Sequence, residues 1–225
     1  MSSFALKLVA CITMFVDHLG LALFDNNRLM RIIGRIAMPI FAFQVGVGFK
    51  HTHSKPKYIL RMLLCGIVSE IPFLLLLSSA NFIPALIPEN ISHFSLNICF
   101  TFTIALLALF FIEKGKETPV FYIVSIFVAL LSIVIPMDYG IFAVLIVILS
   151  YFCKDKKWLM VPGMVAIAVA YLLIRKSTLQ MYMLFALPFI LLYNGKKGKS
   201  LKYYFYVFYP LHMLLIALSK IYLLK

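Results

Sequence analysis

An acid and a histidine stand side by side in the first hydrophobic segment of this chain, at Asp17 and His18. A charged group at the centre of a membrane span costs about 2.5–3.5 kcal/mol on insertion scales, so such residues mark functional sites and usually have partners. Histidine is the most common general base, because its unperturbed pKa of about 6.5 lies near operating pH. Consecutive helical side chains diverge by about 100°, so Glu70, or another acid brought close by packing, is an alternative to Asp17 for orienting the His18 ring.

Polar residues recur in several other hydrophobic segments. Counting about 1.5 Å per residue from the predicted helix ends places them in one layer, from the outer half to the middle of the membrane. Charges buried in a bundle usually pair, so we expect Asp17 or Glu70 to pair with Arg31 or Arg35. An ion pair that only joins helices is the structural alternative. The layer contains Arg31, Arg35, Glu70, Asn97, Thr101, Asp138, Tyr139, Tyr209 and His212.

A second group of candidate residues is basic and lies in predicted loops. Lysine and arginine both bind phosphate, so these loops could hold a phosphate-bearing ligand. The alternative is that they only set topology and meet anionic lipid. No further ligands accompany the two histidines of these loops, His51 and His53, so no metal site is expected. The predicted cofactor-binding residues are Lys50, His53, Lys57, Arg61, Lys196 and Lys197.

The composition is typical of a membrane protein. Of 225 residues, 64% are hydrophobic and 13% are charged, with a mean hydropathy of +1.02; soluble domains have about 45–50% apolar and about 25% charged residues. The net charge of +13 lies in short loops, where basic residues are first a topology signal, so no nucleic-acid partner is expected. The four cysteines lack metal-site spacing and are predicted to be core residues.

The hydrophobic pattern predicts an all-α fold, a polytopic membrane helix bundle of about nine helices in a single domain, 1–225. A span needs about 20 apolar residues, and the sixth and eighth segments are shorter than that. The first segment lacks a cleavage site and is predicted to be a retained helix. The predicted helices are 4–24, 28–49, 57–78, 94–113, 119–136, 138–153, 158–174, 178–193 and 201–222.

Basic residues divide unequally between the two sides of such a bundle. Fourteen lysines and arginines fall on the side of the N-terminus and six on the other. The positive-inside rule then places the N-terminus in the cytoplasm and the C-terminus outside. An even number of spans would break this segregation.

These motifs resemble the TraX family of membrane proteins. The match runs in order through nearly the whole chain and is densest over the first 72 residues. It departs at Gln44–Gly48, where we expect an acidic residue before Gly48-Phe49. The resemblance is carried mainly by Thr13–Gly20, Arg31–Phe43, Lys57–Arg61, Ser69–Pro72, Asn97, Asp138–Gly140 and Tyr206–His212.

The resemblance implies an acyltransferase. The family is named for the acetylase of conjugative pilin and is similar to multi-span enzymes that use acyl-CoA. It implies a protein of the bacterial inner membrane that moves an acetyl or short acyl group from acetyl-CoA, at the cytoplasmic face, to an amine or hydroxyl acceptor such as a peptide N-terminus or a glycan. The positions carried over are Asp17, His18, Arg31, Arg35, Arg61, Glu70, Asn97, Asp138 and His212.

The hypothesis for the chemistry makes His18 the general base, with Arg35 or Asn97 stabilising the developing oxyanion. An acyl-histidine intermediate is the other route. Asp17 and Glu70 complete the predicted catalytic set. The residues predicted to contact the substrate or support the site are Arg31, Asp138, Tyr139, Tyr209 and His212. A proton-coupled transporter is the competing function, because acid–His–Arg chains also form proton relays, although no repeated halves are evident. A purely structural subunit is a third.

Overall fold

The computed structural model describes residues 1–77, 95–199 and 202–223. The fold is 82% helical, and the described ranges contain no strand. This confirms the predicted all-α class. The backbone forms ten α-helices within the described ranges: α1 (Ser3–Ala22), α2 (Arg28–Gly34), α3 (Ala37–His51), α4 (Lys55–Leu77), α5 (Ile98–Gly115), α6 (Val120–Val134), α7 (Gly140–Cys153), α8 (Met160–Arg175), α9 (Leu187–Leu191) and α10 (Lys202–Leu223).

Six helical stretches in the described ranges are long and apolar enough to cross a membrane. They are Ser3–Ala22, Arg28–His51, Lys55–Leu77, Ile98–Gly115, Lys157–Arg175 and Tyr203–Leu223. Val120–Val134, Gly140–Cys153 and Thr178–Leu191 are shorter apolar helices. Each of the nine predicted segments therefore corresponds to a helical stretch, and the protein is a helical membrane bundle.

Two predicted segments differ from the observed helices. The eighth is mostly 3₁₀-helix, Thr178–Ala186, followed by the short α9. The second is interrupted, because α2 ends at Gly34 and α3 begins at Ala37. Pro39 explains the interruption: it has no N–H for the carbonyl of Arg35, four residues earlier, and its ring crowds that carbonyl.

Arg28–His51 is the most enclosed of the six candidate spans. In its most apolar 18-residue stretch, 72% of the residues are buried, against 17–50% in the corresponding stretches of the other five spans. Glycine allows close helix contacts on this span, as small residues commonly do in membrane bundles. A Cβ atom added to Gly46 would lie 2.4 Å from the carbonyl oxygen of Val147 in α7. A Cβ atom added to Gly34 would lie 2.1 Å from the Asp17 side chain in α1.

Candidate active site

Asp17 forms ion pairs with two arginines on the neighbouring span. The Nη1 atom of Arg31 donates to Asp17 Oδ2 at 2.7 Å, and Arg35 Nη2 donates to Oδ1 and Oδ2 at 2.8 and 2.9 Å. The side chains of all three residues are at most 16% exposed. Gly34 makes this contact possible, since any larger residue there would overlap Asp17. The predicted pairing of Asp17 with Arg31 or Arg35 is confirmed, and Asp17 pairs with both.

His18 pairs with a second histidine and not with an acid. Its Nδ1 atom lies 2.8 Å from Nε2 of His212, which is 194 residues away in the chain and belongs to α10. The two ring planes are within 3° of parallel, and their centroids are 5.0 Å apart. The short nitrogen contact and the centroid separation together place the hydrogen bond in the planes of both rings. The expectation that an acid such as Glu70 orients His18 is therefore wrong.

The hydrogen-bond chain indicates which ring nitrogens carry protons. The carbonyl oxygen of Phe208 can only accept, so His212 Nδ1, at 2.7 Å, donates to it. In neutral His212 the Nε2 atom is then unprotonated and accepts from His18 Nδ1–H. Among the described residues the Nε2 atom of His18 has no hydrogen-bond partner, so its lone pair is free, which is the property that a general base or a nucleophile needs.

The His212 ring is held firmly in the bundle. The residue is 3% exposed, and its ring stacks on Phe208 with centroids 4.7 Å apart and planes 8° apart. Pro210, two residues before His212 in α10, has no N–H for the carbonyl of Tyr206. The Cys65 thiol lies within 4.0 Å of that carbonyl and can donate to it. His18 therefore receives its orientation from a rigid part of α10.

Glu70 and Asn97 form a separate polar contact between α4 and α5. Asn97 Nδ2 donates to Glu70 Oε2 at 2.5 Å and to the Gly66 carbonyl at 2.8 Å. Its Oδ1 atom accepts from Cys99 N–H at 3.0 Å, so Asn97 is the N-cap of α5. Of the two acids expected to pair with an arginine, Asp17 does so, whereas among the described residues Glu70 Oε2 accepts from Asn97. Asn97 has no amide hydrogen left for a substrate in this arrangement.

The turn before α7 carries Asp138 and Tyr139, as the sequence predicts for the outer loop. Asp138 N–H donates to the Leu96 carbonyl at 2.8 Å, and the Asp138 carbonyl accepts from Thr101 Oγ1 at 2.9 Å. Tyr139 has a left-handed backbone, with φ of 58°, which is uncommon for a non-glycine residue. This conformation places its ring against Arg35, with the guanidinium carbon 5.7 Å from the ring centroid.

A small cavity of about 200 Å³ brings most of these residues together. It is bounded by the end of α1, the end of α2 and start of α3, the end of α4 and the turn before α7. Glu70, Asn97 and His212 do not line it. The polar residues in its wall include Asp17, His18, Arg31, Arg35, Asp138, Tyr139 and Tyr209.

A large cavity of about 580 Å³ lies on the other side of the bundle. It is bounded by the opposite helix ends: the start of α1, the end of α3, the start of α4 and the segment before α10. Of the predicted cofactor-binding residues, Arg61 and Lys197 line it. His51 and Lys199, which belong to the predicted basic segments, also line it. Sequence reasoning missed two further polar residues of its wall, Lys7 and Gln44, and Gln44 is held by a 2.6 Å hydrogen bond from Ser3 Oγ.

The other predicted cofactor-binding residues do not line this cavity. His53, Lys57 and Lys196 are exposed, and Lys50 Nζ donates to Asp155 Oδ2 at 3.1 Å. The Lys50 hydrogen bond also lowers the pKa of the exposed Asp155 carboxyl. Within the described ranges, no group of three or more His, Cys, Asp or Glu side chains is placed to hold a metal ion.

The two cavities adjoin. Both are lined by the same five side chains, which form a junction layer between them. His18 lies in the wall of the small cavity, four residues after a member of this layer. The junction layer consists of Met14, Phe41, Ile98, Phe102 and Tyr209.

Fold and site together define the class: a polytopic helical membrane protein with a partly buried histidine, His18, in the wall of the smaller of two adjoining cavities. The chain belongs to the TraX family, because the family model described as TraX protein matches residues 2–220. This confirms the resemblance seen in the motifs.

Two curated proteins are similar to the chain. The chain is 28% identical to the probable fimbrial assembly protein FimC, serogroup H1, of Dichelobacter nodosus over 242 aligned residues, 99% of this chain and 97% of that protein. It is 46% identical over 66 residues to uncharacterized protein RP591 of Rickettsia prowazekii (strain Madrid E), 29% of this chain and 25% of that protein. No solved structure matches the chain.

Proposed function

We propose that this protein is a membrane-embedded acyltransferase. It binds acyl-CoA in the large cavity and transfers an acetyl or short acyl group to an amine or hydroxyl acceptor in the small cavity. The observation that supports this best is that a basic cavity and a cavity containing a free histidine lone pair meet at one junction layer. Donor and acceptor can then approach the same point from opposite sides of the bundle.

The large cavity suits the charge and the shape of the donor. Its volume of about 580 Å³ lies within the range of about 300–1,000 Å³ that is usual for ligand sites. The phosphates of CoA would contact the basic residues near the opening, among them Arg61, Lys197 and Lys199, since such groups form charge-assisted hydrogen bonds with phosphate. The neutral arm of CoA would extend between the apolar walls and carry the thioester towards Met14 and Phe102 in the junction layer.

The histidine pair supplies the base. His18 Nε2 takes the proton of the acceptor as the acceptor nitrogen or oxygen attacks the thioester carbon. His212 Nε2 then stabilises the positive ring, because it accepts the hydrogen bond from His18 Nδ1–H. A group that orients a catalytic histidine in this way is the third member of nucleophile–His–acid systems. In the second route His18 Nε2 attacks the thioester itself and gives an acyl-imidazole.

The ion pairs around Asp17 hold the base in position. Asp17 and His18 are consecutive in α1, so the contacts of Asp17 with Arg31 and Arg35 fix the rotation of α1 at the base. They leave a local excess of one positive charge, and Asp138 in the same cavity can offset it. We assign Asp17, Arg31 and Arg35 a positioning role on this ground.

The relatives indicate an acceptor class. The family is linked to pilin acetylation, and the Dichelobacter nodosus relative is named for fimbrial assembly. A pilin-like peptide with a free N-terminal amine is therefore the first acceptor to test, in a protein that resides in a bacterial inner membrane. A hydroxyl acceptor such as a glycan is the second.

Turnover of labelled acetyl-CoA by the purified protein tests the proposal. With a peptide amine present, we expect release of free CoA thiol and an equal amount of labelled peptide. His18→Ala should abolish both, while it still binds acetyl-CoA. If the wild type neither binds acetyl-CoA nor releases CoA with amine or sugar acceptors, the acyltransferase is refuted. Proton uptake by protein-containing vesicles in the absence of CoA would then favour the transporter.

A further inference from the structure

The sequence-based candidates for the oxyanion donor are both engaged in other hydrogen bonds. Attack on a thioester places negative charge on its carbonyl oxygen, and a donor aimed at that oxygen is usually a large part of catalysis. Arg35 uses Nη2 for Asp17, Nη1 for Gln180 Oε1 at 3.3 Å and Nε for the Arg31 carbonyl at 3.3 Å. Asn97 donates both amide hydrogens to α4. Arg35 keeps one Nη1 hydrogen, but its guanidinium is held against Asp17 and Gln180, and it lines only the small cavity. A donor without another partner, at the point where the two cavities meet, is therefore the better candidate.

Tyr209 is the polar member of the junction layer. The other four members, Met14, Phe41, Ile98 and Phe102, have no hydrogen-bond donor in their side chains. Tyr209 is 8% exposed and lines both cavities. Among the described residues its hydroxyl has no hydrogen-bond partner, and it is not one of the fully enclosed polar atoms without a partner. A buried hydroxyl of this kind is ready to donate to a ligand.

Tyr209 is also tied in position to the base. It precedes His212 by three residues on α10, and side chains three apart lie on the same face of a helix. The ring centroids of Tyr209 and His212 are 6.0 Å apart. One turn of α10 therefore carries both the residue that orients His18 and a free phenolic donor at the junction of the cavities.

We propose that the Tyr209 hydroxyl donates a hydrogen bond to the acyl carbonyl oxygen during transfer, and is thus a catalytic residue. This inference rests on the proposed function. In the base-catalysed route, the bond between acceptor and acyl carbon forms, and the acceptor proton moves to His18 Nε2. The carbon–sulfur bond then breaks, and the CoA thiolate receives that proton. Tyr209 keeps its own proton throughout and stabilises the intermediate oxyanion.

Tyr209→Phe tests this role, because it removes only the hydroxyl. Loss of one oxyanion donor lowers kcat by about 10²–10³-fold, and we expect a loss of this size. The dissociation constant for acetyl-CoA should stay within about twofold of wild type, since the donor acts mainly in the transition state. Tyr204→Phe is the matched control. It lies on the same helix, is 52% exposed and lines neither cavity, so it should keep wild-type kcat.

The outcomes separate the two proposals. If the wild type is active and the Tyr209→Phe variant keeps more than about one third of its kcat, the Tyr209 inference is refuted. The proposed acyltransferase function is then unaffected. A variant that loses acetyl-CoA binding in proportion to activity also refutes it, because Tyr209 would then only shape the cavity. A wild type that never releases CoA refutes the proposed function and the inference together.

Discussion

Substitution of Gly34 by alanine should disrupt the ion pairs at Asp17. The added Cβ atom would lie 2.1 Å from both Cβ and Oδ1 of Asp17, and real Cβ contacts essentially never fall below 3.0 Å. Asp17 and Gly34 must therefore separate by about 0.9 Å or more. A shift of that size takes the 2.8 Å contact with Arg35 out of hydrogen-bond range.

The expected loss of stability follows from the weakened ion pair between Asp17 and Arg35. Breaking a buried ion pair by removing one partner typically costs about 3–5 kcal/mol. Here Asp17 is displaced and not removed, and part of its contact with Arg31 can re-form. We therefore expect Gly34→Ala to lower the free energy of unfolding by about 2–4 kcal/mol, within the scale of one or two charge-assisted hydrogen bonds. Acyl transfer should fall as well, because Asp17 adjoins His18.

Thermal unfolding of the purified protein in one detergent measures this effect. Gly163→Ala in α8 is the matched control. Its Cβ atom would meet the two methyl carbons of Leu149 at 2.5 and 2.7 Å and Cγ at 3.2 Å, an apolar side chain that can change rotamer without breaking an ion pair. If both variants melt close to wild type and transfer acetyl groups normally, the close packing of Gly34 against Asp17 does not hold the site together.

Three further predictions concern the histidine pair, the cap of α5 and the donor cavity. His212→Phe keeps the stacking on Phe208 but removes the acceptor for His18, so kcat should fall at least about 10²-fold with acetyl-CoA binding unchanged; steady-state kinetics and equilibrium binding check this. Asn97→Ala should lower the melting temperature through the loss of an N-cap worth about 0.5–2 kcal/mol, with kcat near wild type once folded; a large loss of kcat would instead make Asn97 catalytic. Arg61→Ala combined with Lys197→Ala should raise KM for acetyl-CoA more than tenfold with little change in kcat, while Lys176→Gln, which lines neither cavity, should leave KM unchanged.

The helices and one ion-pair cluster were predictable from the sequence. Hydropathy located all nine helical stretches, because lipid requires long apolar segments whose backbone is fully hydrogen-bonded. The Asp17 contacts were also predictable, since a buried carboxylate needs a cation at its own depth and Arg31 and Arg35 are on the next span. The interruption of the second span could also have been predicted from Pro39. Mean hydropathy over a whole span does not detect a single proline, so the segment was predicted as one continuous helix.

The partner of His18 was not predictable in the same way. His212 lies 194 residues away, and depth alone placed several acids equally close to His18. Which side chain meets it depends on the packing of α10 against α1, which no local pattern in the sequence specifies. The same holds for Glu70: the choice between a distant arginine and the amide of Asn97 was decided by the contact of α4 with α5.

The wall of the large cavity shows a similar limit. Lys7 lies within an apolar helix and resembles a residue that only sets topology. Its ammonium lies 5.4 Å from the centroid of the Phe205 ring, beside the cavity. Lys50 and Lys57 have the same local sequence character as Arg61, yet their side chains point elsewhere. Charge in a loop therefore predicted the correct side of the bundle but not the individual residues.

Transfer across a vesicle membrane tests the central claim most directly. Protein is reconstituted with its basic face outward, a peptide amine is trapped inside, and labelled acetyl-CoA is added outside. The account predicts label on the trapped peptide and an equal release of CoA outside, with both lost in His18→Ala. Label only on peptide added to the outside, or equal labelling by His18→Ala, would contradict transfer between two cavities through a histidine base.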